Sequence, residues 1–287
     1  MESTPSMVCV TKEFLDRGQL GKNEVNMKVA ALSLDPQWES KSASLRECRP
    51  LLDRAAEKGA ELAILPEMTL TGFSMNTASI AEDLSSSETI ETFSRVAAEL
   101  NLPILFGVVV RDGDRATNNA VLVDAKGAVV ANYAKIHPFS FAEEDQFYRG
   151  GRHVVSVSLN GMTIGLTICF DLRFPELYTA LSRQCDMIVN IANWPGARLM
   201  HWSTLLRARA IENQVFLIGV NRTGTDGKGI EYIRSTELID PWGDAVSPIE
   251  SEGALDMFEL NMESLVSIRE NFPTRKDRKP ELYRTII

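Results

Sequence analysis

Three polar residues stand at the ends of apolar runs: Glu67 after "LAILP", Lys135 after "VVANYA", and Cys169 closing "MTIGLTIC". Such strand ends are where a rigid scaffold hands reactive groups to a loop. Taken singly, each has an ordinary structural reading. A carboxylate or an amine in such a place is most often a salt bridge or an exposed side chain, and a free cysteine is most often a small core residue. Taken together, carboxylate, ammonium and thiol make a mechanism. The carboxylate takes the thiol proton, the ammonium holds a developing oxyanion, and the thiolate attacks a carbonyl or nitrile carbon. No catalytic histidine is required.

The elements that must position these groups can be read from periodicity and turn chemistry. "KVAALSLD" is a strand, and residues 42–58 place Leu45, Cys48, Leu52 and Ala55 at helical spacing, with a kink expected at Pro50. "ELAIL" is a buried strand stopped by Pro66, and "SETIETFSRVAAELN" is a helix with a serine cap. "PILFGVVV", "NNAVLVD" and "AVVANY" form an antiparallel meander, turning at Asp112-Gly113 and Lys126-Gly127. "HVVSVSL" and "MTIGLTIC" flank Asn160-Gly161, a strong hairpin signal, so Cys169 ends a strand. Beyond it come the helix "FPELYTALSRQ", the strand "DMIVNIAN", the long helix "LMHWSTLLRARAIENQ" and the strand "VFLIGVN". Two β segments at 238–249 and 253–260 and a helix near 263–271 complete the reading. Interleaved strands and helices argue for an α/β fold in one domain, 27–287. The charged, proline-broken tail "RENFPTRKDRKPELYRTII" is expected to lie over a surface or a partner rather than form an element.

"LPEMTLTGF", "YAKIHPF" and "ICFDLRFPELY", in this order, resemble the Glu, Lys and Cys motifs of the nitrilase superfamily of carbon-nitrogen hydrolases. The likeness runs through "NIANWPGARLMHWSTLLRARAIENQVFLIGVNRTGTDGKG" to "DRKPELY" and is strongest to the omega-amidase branch, which acts on small 2-oxo dicarboxylic acid monoamides. It implies a four-layer α-β-β-α sandwich, paired with a second subunit through its helices as a homodimer or higher homo-oligomer. It implies Glu67 as general base, Lys135 as oxyanion stabiliser and Cys169 as nucleophile, with the backbone N–H of Phe170 as second oxyanion donor. A further Glu supports such sites, and "FAEEDQFY" offers Glu143 and Glu144, of which Glu144 is preferred from its distance to Tyr148. Neither cofactor nor metal is implied.

Arg173, four residues past the thiol, is a candidate for a substrate carboxylate, or else an ion-pair partner of Glu176 or Asp171. Trp194 and Phe73 are candidate pocket walls, or core. Arg207, Arg209 and Glu212 read as structural or interface ion pairs. His137 and His201 read as structural hydrogen-bonders and Cys185 as packing.

Composition limits the rest. The 287 residues are 44% hydrophobic and 24% charged, with formal charge -9 and a pI near 5.0. That balance, without a basic patch, argues against nucleic acid and anionic membranes as partners. Four cysteines without a C-x-x-C pair, and three histidines, suggest neither a zinc site nor a disulfide framework, so reduced thiols in the cytoplasm are expected. Residues 1–26 lack the basic and apolar regions of a secretory signal and are set aside as an N-terminal extension. No apolar run reaches membrane-spanning length. The function expected is hydrolysis of a small amide through a cysteine thioester, releasing ammonia. A nitrilase or an N-carbamoyl amidohydrolase would use the same three residues, and a non-catalytic binding protein of the same fold is the rival from another class.

Overall fold

The computed structural model describes residues 26–285, so the N-terminal extension lies almost wholly outside the described residues. The chain begins with β1 (Asn26–Leu32), α1 (Lys41–Glu57) and β2 (Leu62–Ile64), followed by α2 (Thr77–Ile80) and α3 (Glu88–Leu100). The meander β3 (Ile104–Asp112), β4 (Arg115–Val123) and β5 (Val129–Ala134) leads through α4 (Glu144–Phe147) to the hairpin β6 (Ser156–Leu159) and β7 (Met162–Ile168). Next are α5 (Pro175–Leu181), β8 (Met187–Ala192), α6 (Leu199–Asn213) and β9 (Phe216–Asn221). A ribbon of β10 (Gly224–Thr225) and β11 (Glu231–Tyr232) precedes β12 (Glu237–Ile239), β13 (Ala245–Val246), β14 (Glu250–Glu252), β15 (Leu255–Asn261), α7 (Met262–Asn271) and α8 (Pro280–Tyr283).

Two sheets carry the fold, in the orders β14-β15-β1-β2-β3-β4-β5 and β13-β12-β9-β8-β7-β6. The strands β1, β2 and β3 run parallel, as do β7, β8 and β9. Parallel strands of this kind have both faces covered, which is why their sequences are nearly continuous apolar runs. On β7, Ile164, Leu166 and Ile168 meet Val29, Ala31, Leu122 and Tyr133 of the facing sheet in the central core. The alternate residues of β1, Ala30 and Leu32, pack instead under α1 and α3 with Cys48, Leu52 and Phe93. Tyr178, Leu181, Trp202 and Leu206 of α5 and α6 cover the outer face of the second sheet. The result is the four-layer α-β-β-α sandwich.

Several local expectations need correction. The segment 238–249 is not one strand: it breaks at a turn in which the Asp240 side chain accepts from the Trp242 and Asp244 amides, at 2.9 Å each. The second segment, 253–260, is a single strand, β15 from Leu255, joined to the preceding β14 by a turn at Gly253 (φ +58°). The helix read over 42–58 is α1, Lys41–Glu57, with Pro50 inside it. The tail does form short turns, at Thr274–Asp277 and Pro280–Tyr283, with no buried residue in either. Its arginines hold it to its own chain, Arg275 donating to the Ser182 carbonyl and Arg278 to the Glu212 carbonyl. No described helix is long and apolar enough to cross a membrane.

Candidate active site

Glu67 follows β2 in a turn held on both sides. Met68 adopts φ +46°, and the Thr69 hydroxyl donates to the Pro66 carbonyl at 2.6 Å while accepting from the Gly107 amide at 2.8 Å. Gly107 on β3 lies so close beneath that a β-carbon there would strike the Glu67–Met68 backbone. The carboxylate is fully buried, and donors take both its oxygens. Oε1 accepts from Lys135 Nζ at 3.0 Å and Asn118 Nδ2 at 2.7 Å. Oε2 accepts from the Asn193 amide at 2.9 Å and its side chain at 3.2 Å.

Lys135 follows β5, its own amide bonded to the Asn118 carbonyl at 2.8 Å. Its ammonium lies between two carboxylates, Glu67 Oε1 at 3.0 Å and Glu144 Oε2 at 2.8 Å from Nζ, and all three side chains are buried. Burial works against that charge, but Glu144 and Glu67 outweigh it and hold the ammonium well above the usual lysine range. Glu144 itself is pushed up, first by burial and then by Glu67, against the pull of Lys135. The adjacent Glu143 is exposed, taking a left-handed conformation (φ +60°) that turns the chain so that Glu144 enters the interior.

Cys169 begins where β7 stops. It adopts φ +46°, a conformation costly for a residue with a β-carbon, and opens a 3₁₀ turn, Cys169–Arg173, rather than an α-helix. Asp171 secures the turn by accepting from the Ile168 amide at 3.0 Å. Burial first, and then the Glu67 carboxylate, push the thiol well up, with Lys135 pulling the other way. The resting sulfur is therefore a thiol, and a base is needed to ionise it. His137 is a structural hydrogen-bonder, with Nδ1 2.7 Å from Asp171, and Arg209 pairs with Glu212 at 3.1 Å. Cys185 is buried packing.

A small cavity of about 60 Å³ opens above these groups. Lys135, Cys169, Phe170, Arg173, Trp194 and Phe73 all border it. Arg173 makes no ion pair with Glu176 or Asp171. Its guanidinium lies 4.9 Å from the Trp194 ring and 5.8 Å from the Phe170 ring, with His201 Nδ1 at 3.3 Å. Sequence reasoning missed Asn118 and Asn193, which grip Glu67, and Phe139, Arg198, Ile230 and Tyr232, which complete the cavity. Asn193 did leave a signal, as an amide directly after the mostly apolar strand β8, whereas Asn118 stands between Thr117 and Asn119 on β4 and left none. Among the described residues no group of three or more His, Cys, Asp or Glu could hold a metal ion.

A carboxylate, an ammonium and a thiol converging between two sheets are the parts of a hydrolase that works through cysteine. Comparison with known proteins gives the class: residues 28–269 match the carbon-nitrogen hydrolase family model, and the chain belongs to that family. Within the nitrilase superfamily it falls in the omega-amidase branch. The omega-amidase YafV of Escherichia coli K12 is 34% identical over 254 residues, covering 88% of this chain and 96% of that protein. A 2-oxoglutaramate amidase of Paenarthrobacter nicotinovorans is 35% identical over 236 residues, covering 78% and 80%. Among solved structures, XC1258 of Xanthomonas campestris, a superfamily member with an arsenic adduct in its active site, superposes with a TM-score of 0.82 at 30% identity, covering 88% of this chain and 97% of that one. The chain is thus an enzyme of the amidase and carbon-nitrogen hydrolase class.

Proposed function

We propose that the enzyme releases ammonia from the terminal amide of small 2-oxo dicarboxylic acid monoamides through a thioester on Cys169. The observation that carries the reading is the buried Glu67–Lys135 pair, 3.0 Å apart, at a cavity bordered by both Lys135 and Cys169. Glu67 accepts the thiol proton and the sulfur attacks the amide carbon. Lys135 and the Phe170 N–H stabilise the tetrahedral oxyanion, and Glu67 returns the proton to the nitrogen as the C–N bond breaks. Ammonia leaves and a thioester remains. Glu67 then takes a proton from water, whose oxygen attacks the thioester; collapse releases the acid and restores the thiol. Glu144 supports Lys135 throughout, keeping the ammonium charged beside the base.

The far carboxylate of the substrate needs a fixed cation in a partly dry pocket, and Arg173 at the cavity edge can supply it. Trp194 and Phe73 wall the same cavity. The relatives named for omega-amidase and 2-oxoglutaramate amidase activity support this substrate class. The enzyme is further read as a cytoplasmic homodimer or higher homo-oligomer. Ammonia release from matched amides, nitriles and carbamoyl amino acids tests the reaction. The short monoamides are expected to be the best substrates, and Arg173→Met should lower kcat/KM on them while sparing a neutral amide of equal length. A wild type that prefers nitriles or carbamoyl compounds overturns the amidase reading, and equal losses on both amides remove Arg173 from substrate recognition.

A further inference from the structure

The cavity above Cys169 carries more positive charge than a single substrate carboxylate requires. Lys135, Arg173 and Arg198 all border it, and no carboxylate is among its lining residues. Lys135 is already matched by Glu67 and Glu144. Arg173 and Arg198 are not, for among the described residues neither guanidinium has a carboxylate partner. They come from different elements, Arg173 from the turn after β7 and Arg198 from the Gly196–Arg198 turn that leads into α6. Aromatic rings hold both, Trp194 beside Arg173 at 4.9 Å and Phe139 beside Arg198 at 5.6 Å. Each guanidinium lies within the other's field: burial and then the charge of Arg198 lower the pKa of Arg173. Two half-buried like charges without acids between them are costly to keep together unless a ligand uses both.

We propose that Arg198 is a specificity-determining residue that, together with Arg173, selects a 2-oxo acid over the corresponding 2-amino acid. The inference rests on the reading of the substrate as a dicarboxylic acid monoamide. A 2-oxo carboxylate presents three oxygens on two adjacent carbons, and all of them accept hydrogen bonds. An arginine fork has five N–H donors and no acceptor, so two forks match that group without leaving a donor facing a donor. The 2-amino analogue puts an ammonium where the keto oxygen would be. Facing Arg198, that ammonium meets a like charge in a partly desolvated site, and the same residue that attracts the oxo acid repels the amino acid.

The test compares three five-carbon amides with one chain length and one carboxylate: 2-oxoglutaramate, glutaramate, which lacks the 2-substituent, and glutamine. For the wild type, kcat/KM should fall in that order. Arg198→Met should lose roughly tenfold more on the 2-oxo compound than on the unsubstituted one, the worth of one charge-assisted hydrogen bond, and gain on glutamine. Arg198→Lys should keep glutamine excluded, since the charge remains. Equal losses of Arg198→Met on all three, or an unchanged preference for the oxo over the amino compound, would overturn the proposal. The underlying substrate reading fails separately and in the wild type alone, if a neutral amide outperforms both 2-oxoglutaramate and glutaramate.

Discussion

The Tyr133 hydroxyl donates a hydrogen bond of 2.7 Å to the Asp171 carboxylate, linking the end of β5 to the turn that bears the nucleophile. Tyr133 lies two residues before Lys135 and Asp171 two after Cys169, so the contact ties the ammonium's strand to the thiol's turn across the two sheets. The same carboxylate accepts from the Ile168 and His137 amides, at 3.0 and 3.1 Å. Burial and the charge of Asp171 hold the phenol far above its usual range, so it is a neutral donor at any working pH. Tyr133→Phe should therefore cost about 1–3 kcal/mol, because a buried carboxylate loses a donor without gaining water. It should lower kcat more than it raises KM. Denaturant melts and steady-state kinetics check both, and a variant with unchanged kcat would mean that the link does not set the thiol–ammonium geometry.

Cys169→Ala should abolish turnover at little cost in stability, since the residue is small and borders a cavity. Intact-protein mass spectrometry should show a substrate-dependent acyl adduct on the wild type and none on the variant. Turnover by the alanine variant would end the covalent mechanism.

Lys135→Met should destabilise the fold by about 3–5 kcal/mol at neutral pH, the usual cost of leaving a buried charge without its partner. The loss should depend on pH in a definite sense. Glu144 is already pushed up by burial and Glu67, and without the ammonium it rises further, above the value of about 4.3 in an unfolded chain. The folded variant then binds more protons than the unfolded one, so its stability falls as pH rises from about 4 through the raised value. Melts at pH 4 and pH 7.5 should bring variant and wild type closest together at the acid end. Paired with Glu67→Gln, the activity losses should not multiply, because the groups act as a unit.

How much of this was legible depended on whether a residue's position follows from its own neighbours in the chain. The hairpin at Asn160-Gly161 did, since both residues take the positive φ that such a turn requires, +48° and +81°. The strand ends bearing Glu67, Lys135 and Cys169 did as well, because buried strands announce themselves as apolar runs. Arg198 did not: its stem leaves a turn before α6, and only the fold brings it beside Phe139. The choice between Glu143 and Glu144 was also beyond periodicity. Adjacent residues of one type are separated only by backbone conformation, here the left-handed Glu143.

The tail offers a test of assembly. Phe272, Leu282 and Tyr283 are about half exposed, at 54%, 52% and 44%, although arginines bind the segment to its own chain. If a second copy covers them, truncation after Asn271 should weaken association. Sedimentation of the full chain should show a dimer or larger species at micromolar concentration. A compact, fully active monomer would count against assembly through this segment.

Gly107 sits on β3, one strand away from the base, and is not among the residues that border the cavity. A β-carbon at this position would press into the Met68 amide nitrogen and the Glu67 backbone, and neither is a flexible side-chain end that could swing aside. The turn cannot retreat easily, because Thr69 pins it to both Pro66 and Gly107 itself. Gly107→Ala should thus cost about 1–3 kcal/mol as an overpacked core site. It should also displace Glu67 from the Lys135 and Asn193 donors, lowering kcat well beyond what the stability loss explains. Gly165 provides the control: a β-carbon there would meet the side chains of Cys185, Leu181 and Ile188 rather than backbone. Gly165→Ala should affect melting while leaving kcat near the wild type. If the two variants lose activity in proportion to stability alone, the close approach at Gly107 serves packing and not the placement of the base.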